Sequence, residues 1–293
     1  MRRTGDTQHC GLLDNERQKL YNNTNRTVAQ DSLEESMFGA IIGDIVGSVY
    51  EFNNIKTKDF PLWSPDSRFT DDTVMTCAVY AALKEYKKEK AHNAHALLTS
   101  YLREFGNEYP ACGYGTRFEQ WLLAEDPKPY NSYGNGSAMR VSGAAWLADS
   151  LSEAKELATL SAEITHNHPE GIKGAVAVAE AIYMASQNCT KEQIYKHVGQ
   201  YYDLDFTLDG IRADYEFDET CQGSVPQAVV AFLEGEDFED VIRNAVSIGG
   251  DSDTIAAIAG SIAEPYFGIP ARLKARALNI LDPLLKRALG ITD

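Results

Sequence analysis

From Met37 onward, apolar side chains recur at three- and four-residue spacing, the period of helices that bury one face. The first such segment, 37–49, sets glycine at 39, 43 and 47 among Phe, Ile and Val, which suits a tightly packed helix. The next starts at Thr70-Asp71-Asp72, runs through Val74, Ala78, Ala81 and Ala82, and ends on Lys84, Lys87 and Lys88. An acidic start and a basic end complement the helix dipole. The same period predicts helices over 93–105, 116–124, 137–148, 152–164, 170–187, 190–202, 223–234, 237–247, 253–263 and 270–288. Pro169 falls in a first helical turn, where proline is tolerated. A few β-like residues at 204–217 (Leu204, Phe206, Leu208, Ile211, Tyr215) read as a hairpin or an irregular loop. Strand and helix do not alternate, which argues against a parallel α/β sheet, and no fixed period repeats, which argues against a solenoid. The prediction is one all-α domain over 37–293.

Residues 1–36 break this pattern. They are rich in Asn, Gln and Thr, and their five basic and six acidic side chains nearly cancel. A short helix around Leu12, Leu13, Glu16 and Leu20 is compatible with the sequence, but the segment has too little apolar surface for a core of its own. It is expected to be an N-terminal extension, flexible or partner-binding.

Charge narrows the function classes. Across 293 residues, 43 acidic and 27 basic side chains leave a net charge of −16. Nucleic-acid binding draws its affinity from Lys and Arg, so a broad DNA or RNA surface is excluded, and an anionic membrane is equally disfavoured. A phosphate-bearing small ligand held through a metal ion remains compatible, because carboxylates attract the cation. The five cysteines (10, 77, 112, 189, 221) are odd in number and contain no C-x-x-C pair, so they read as thiols of a reducing compartment. The start lacks the apolar run of a secretion signal, and nothing reaches the roughly 18 apolar residues of a membrane span. A cytoplasmic protein is expected.

Candidate chemistry gathers where loops feed helices. Thr70-Asp71-Asp72 and Asp251-Ser252-Asp253-Thr254 each combine carboxylates with a hydroxyl, as hard divalent cations require. Taken alone, each cluster reads more readily as a helix N-cap. Gly249-Gly250 tilts the second towards a ligand, since glycine lets backbone approach closely. Asp44 and Glu51 place two carboxylates at and beyond the end of the glycine-bearing helix. The 134–140 stretch, Gly-Asn-Gly-Ser-Ala-Met-Arg, is a glycine-rich turn entering a helix, a common anion site and also common punctuation. Thr165-His166-Asn167-His168-Pro169 holds two histidines in a loop, which taken alone read more readily as surface or capping residues than as ligands.

Together, in this order and spacing, these stretches resemble the ADP-ribosylglycohydrolase family, the group containing dinitrogenase-reductase-activating glycohydrolase. The resemblance rests on GAIIGDIVGSVYEF at 39–52, FTDDTVM at 69–75, YGNGSAMRV at 133–141, THNHP at 165–169 and GGDSDTIAAIAG at 249–260. Its most discriminating element is the pair of acidic clusters, 179 residues apart from Asp72 to Asp251. The resemblance implies a single all-α orthogonal multi-helix domain with two divalent ions, Mg2+ or Mn2+, in a central cleft. It implies Thr70, Asp71, Asp72, Asp251, Asp253 and Thr254 as metal ligands, with Glu51, Asp72 and Asp253 as the catalytic group. Gly134, Asn135, Gly136, Ser137, His166 and His168 would line the ADP-ribose. Two departures stand out: Ile45-Val46 replaces the more usual Ala-Leu, and Glu264-Pro265 interrupts a helix where small residues are common.

The implied reaction is hydrolysis of ADP-ribose from a modified protein side chain, with arginine as the expected linkage. Some bacterial relatives resemble immunity proteins against ADP-ribosyltransferase toxins, so toxin reversal is an expected role. The polar extension 1–36 would then add direct blockade of the toxin. The competing classes are a stoichiometric binding inhibitor and a non-catalytic relative. An intact set of six metal-binding side chains argues against simple loss of catalysis.

Overall fold

The computed structural model describes residues 37–89 and 93–291, so the expectation for the extension 1–36 lies outside the described residues. Among the described residues the chain forms helices and no strand; one isolated antiparallel bridge joins Gly134 to Thr220. The all-α prediction therefore holds. In chain order the helices are α1 (Phe38–Gly47), α2 (Asp71–Glu89), α3 (Ala94–Glu108), α4 (Thr116–Leu123), α5 (Gly136–Met139), α6 (Ser142–Leu147), α7 (Leu151–Glu163) and α8 (Pro169–Ser186). They continue with α9 (Lys191–Val198), α10 (Leu208–Ile211), α11 (Cys221–Glu234), α12 (Phe238–Ser247), α13 (Ser252–Phe267), α14 (Ala271–Ile280) and α15 (Pro283–Ala288).

α1 is buried along its whole length and packs against α13, itself buried from Ser252 to Glu264. The glycine row is the reason these helices can touch. A Cβ on Gly43 would lie 2.1 Å from the Ala256 carbonyl oxygen, and one on Gly39 would lie 2.1 Å from that of Gly260. On Gly47 it would lie 2.4 Å from the Cα of Asp253. Unbonded heavy atoms settle at roughly 3.5–4.0 Å, so any side chain here forces the helices apart. Main chain rests on main chain, and the end of α1 abuts the start of α13.

The far ends are tied by Glu264. Its carboxylate accepts the backbone N–H groups of Phe38 (3.2 Å) and Gly39 (2.9 Å), two donors that the first turn of α1 cannot satisfy internally. The interruption expected at Glu264-Pro265 is therefore absent. α13 runs on to Phe267 with Pro265 in its last turn, and Gly268 ends it at φ 72°. Burial pushes the Glu264 carboxyl up to about 8, with the two N–H bonds opposing. Glu264→Ala leaves two buried N–H groups without acceptors and is expected to destabilise the fold by about 1–3 kcal/mol. Glu264→Gln, which keeps one acceptor oxygen, should lose less. Thermal melts at neutral pH check the order.

Two predicted segments differ, and a third had two readings of which one holds. The helix expected at 137–148 splits into α5 and α6 around Arg140 and Val141. The one expected at 270–288 splits at Asp282, which caps α15 by accepting the N–H groups of Leu284 and Leu285, with Pro283 in the first turn. The 204–217 stretch holds the short α10 within a loop rather than a hairpin. Cys77, Cys112 and Cys221 are free thiols. No helix among the described residues is long and apolar enough to cross a membrane.

Candidate active site

The contact of α1 with α13 delivers Glu51, four residues beyond α1, to the side of Asp253. Glu51, Asp251 and Asp253 each present a carboxylate oxygen, all within 4.8 Å of one another. They form one wall of a cavity of about 400 Å³, together with Asp71, Asp72 and Thr254. The opposite wall comes from separate segments: Tyr114 and Phe118 around the start of α4, Tyr130, the 134–136 turn, and His166 before α8. Phe217 lines the same cavity and stacks on the exposed Phe52 next to Glu51, ring centroids 6.3 Å apart.

α2 starts at this cavity because of Asp44. This α1 carboxylate, fully buried, accepts the Thr70 N–H (3.0 Å), the Thr70 hydroxyl (2.7 Å), the Thr73 N–H (3.0 Å) and the Thr73 hydroxyl. It satisfies the open N-terminus of α2 from another helix, which fixes Asp71 and Asp72 at the cavity. Asp72 Oδ2 accepts from Thr254 Oγ1 at 3.1 Å, whereas its Oδ1 is buried with no hydrogen-bond partner. Asn135 connects the two walls, donating from Nδ2 to Asp251 Oδ2 (2.7 Å) and to Ser224 Oγ (2.9 Å).

The Gly249-Gly250 turn enters α13 with both residues at positive φ, 69° and 73°, which glycine tolerates without strain. Asn54 holds it: its Oδ1 accepts the Gly250 N–H (2.7 Å), and its Nδ2 donates to the carbonyls of Gly250 (2.9 Å) and Glu51 (2.8 Å). One amide thus pins the Glu51 loop to the Asp251 turn.

Carboxylates this crowded resist ionisation. Burial raises Asp71, Asp72 and Asp253 well above the usual range, and neighbouring charge adds to it: Asp253 acts on the first two, Asp251 on Asp253 itself. Burial and then the Asp253 charge push Glu51 up to about 8. Burial pushes Asp251 up to about 6, with the bonds from Asp253 and Asn135 opposing. The donors are all oxygen, they repel one another, and one buried oxygen lacks a partner; such a set fits a hard divalent cation.

Ten of the thirteen sequence-predicted site residues line this one cavity: Glu51, Asp71, Asp72, Gly134, Asn135, Gly136, His166, Asp251, Asp253 and Thr254. The other three stand behind it. Thr70 is turned to Asp44, Ser137 donates its hydroxyl to the Gly171 carbonyl (2.7 Å), and His168 caps α8 by accepting the Glu170 N–H (3.1 Å). Sequence reasoning missed Asn54 and the aromatic wall. Tyr114 and Phe118 carry a signal only of burial, and Asn54 only that of a polar loop residue.

The ADP-ribosylglycohydrolase family model matches residues 25–289. The chain belongs to the ADP-ribosylglycohydrolase family. As an ADP-ribosylglycohydrolase it is a hydrolase of ADP-ribosyl bonds. It is 27% identical to the ADP-ribosylhydrolase ARH3 of Mus musculus, over 79% of this chain and 82% of that one. To the ADP-ribosylarginine hydrolase Tri1 of Pseudomonas putida (strain GB-1) it is 26% identical, over 82% and 72%. A solved structure named "ADP-ribosylglycohydrolase-related protein complex" shares the fold at a TM-score of 0.65 and 24% identity, covering 89% of this chain and 97% of that chain.

Proposed function

We propose that this ADP-ribosylglycohydrolase cleaves the N-glycosidic bond between ADP-ribose and an arginine side chain of a modified protein. The observation that carries the reading is one cavity with Glu51, Asp251 and Asp253 within 4.8 Å on one wall and a glycine turn with His166 on the other. Asp71, Asp72, Asp251, Asp253 and Thr254 would hold two divalent ions, magnesium or manganese, with Thr70 supporting from behind. When bound, these ions supply positive charge that orients the ribose hydroxyls and makes a nearby water more acidic. The 134–136 turn would line the ADP-ribosyl group, and Asn135 sets that turn against Asp251. Positive charge develops on the sugar as the C1–N bond breaks, and the carboxylate wall stabilises it. Glu51 exchanges the proton: the water loses one as the C1–O bond forms, and the departing nitrogen gains one. The arginine linkage is supported by the relative named an ADP-ribosylarginine hydrolase.

Reversing that bond would protect against any toxin that makes it, and we extend the proposal to such an immunity role. Direct blockade of the toxin would fall to residues 1–36 and rests on their polar composition.

The test follows ADP-ribose release from arginine-modified and serine-modified proteins, with magnesium present and then chelated. Release from arginine should be at least about tenfold faster and should stop on chelation. Equal or faster release from serine would overturn the linkage, and release that survives chelation would overturn the cation dependence.

A further inference from the structure

Arg140 is one of the largest fully buried side chains among the described residues, 1% exposed, and lies in the cavity wall. Its Nη2 donates to the Ser161 carbonyl (3.1 Å) and to Thr165 Oγ1 (2.8 Å), its Nε has no partner, and its guanidinium sits 5.9 Å over the Phe118 ring. Burying a cation with so few bonds is costly, so the contacts it does make call for a reason. One of them leads to a histidine: Thr165 Oγ1 lies 2.7 Å from His166 Nδ1.

The direction of each bond follows from what each group can donate. A guanidinium has no acceptor, so Thr165 Oγ1 accepts from Arg140. With Arg140 on one of its lone pairs, Thr165 keeps its own proton to give to Nδ1. A hydroxyl that accepts a charge-assisted bond is also a stronger donor, while an N–H at Nδ1 would point at an oxygen already loaded with positive charge. Nδ1 therefore keeps its lone pair, and the ring proton belongs on Nε2. Nε2 faces the glycine turn: a Cβ on Gly136 would lie 3.1 Å from it and one on Gly134 3.6 Å.

We propose that Arg140 and Thr165 are positioning residues that lock His166 as the Nε2–H tautomer, a hydrogen-bond donor aimed across the 134–136 turn at an oxygen of the ADP-ribosyl group. Burial and the charges of Arg140 and Arg117 keep the ring well below the ordinary histidine range, which matches a neutral donor. What the donor meets rests on the proposed substrate; the tautomer does not.

Protein labelled with 15N-histidine reads the tautomer directly by NMR, the His166 signals being those lost in His166→Gln. The expected pattern is pyridine-type at Nδ1 and pyrrole-type at Nε2. Thr165→Val should lose that pattern and bind ADP-ribose about tenfold more weakly, whereas Thr165→Ser, which restores the hydroxyl, should keep both. A pyrrole-type Nδ1 in the unmodified protein overturns the proposal, as does a Thr165→Val protein with pattern and affinity unchanged. Should Thr165→Val not fold, the unmodified protein and Thr165→Ser still decide the tautomer. Failure of the unmodified protein to bind ADP-ribose would sink the substrate reading and leave the NMR result to judge the relay.

Discussion

Asp253→Ala is expected to lower kcat/KM by at least about 10³-fold, roughly 4 kcal/mol of transition-state stabilisation, while the protein stays folded. Asp253 is the carboxylate on which the others converge. It is hydrogen-bonded to Asp251, and its charge raises Glu51, Asp71 and Asp72. Its removal deletes a cation ligand and one of the charges that, after burial, raise Glu51, so binding and proton exchange are both impaired. The fold does not depend on this side chain in the same way. Gly47 packs on the Asp253 backbone, which alanine retains, and among the described residues the backbone donor on its carboxylate is the adjacent Thr254 N–H at 3.0 Å. With the cation chelated, loss of one charge from a repelling cluster should leave the melting temperature equal or higher. A variant with normal turnover at low magnesium would refute the ligand assignment.

The melting temperature of the unmodified protein should rise with magnesium or manganese, and the rise should grow from pH 5 to pH 8. The sign follows from the raised carboxyls. Glu51 moves from 4.5 to about 8 and Asp251 from 3.8 to about 6, so between these limits the folded state binds more protons than the unfolded one. The stability they contribute is complete at low pH and is lost as pH rises through about 6 and then about 8. A divalent cation takes the place of those protons, so its effect is largest where they have left. At a hundredfold excess over Kd, mass action gives about 2.7 kcal/mol, several degrees for a domain of this size. Melts in chelator and in saturating cation across the pH range measure it. A cation effect that is flat, or larger at pH 5, would remove the carboxylate cluster as the binding site.

The helical period made the elements legible because burial of one face is a local property. Gly39, Gly43 and Gly47 announced a close contact, yet nothing in α1 names Ala256 and Gly260 as the other side of it. The break at 282 was written in Asp282-Pro283, an N-cap followed by a first-turn proline. The break at 140 had no such signal: Gly-Ser-Ala-Met-Arg-Val keeps a helical period, and the turn comes where Arg140 reaches Ser161 and Thr165. Asp44 was visible as a carboxylate but not as the cap of α2, because the two meet only in the folded chain. Thr70 and His168 show the local habit of short polar side chains at helix starts, bonding backbone or the group that caps it.

The contact of α1 with α13 makes the spacing of the reactive carboxylates a matter of backbone geometry. A rigid ruler, with no side chain between its halves, sets Glu51 against Asp253. The facing wall is assembled from single side chains on separate segments, among them Tyr114, Phe118 and Tyr130. Mutation can exchange these one at a time and reshape what is admitted without changing the gap at the ruler. Selection on substrate thus has these side chains to work on while the helix contact behind the carboxylates tolerates little change, and divergence in this fold has an inexpensive direction and a closed one.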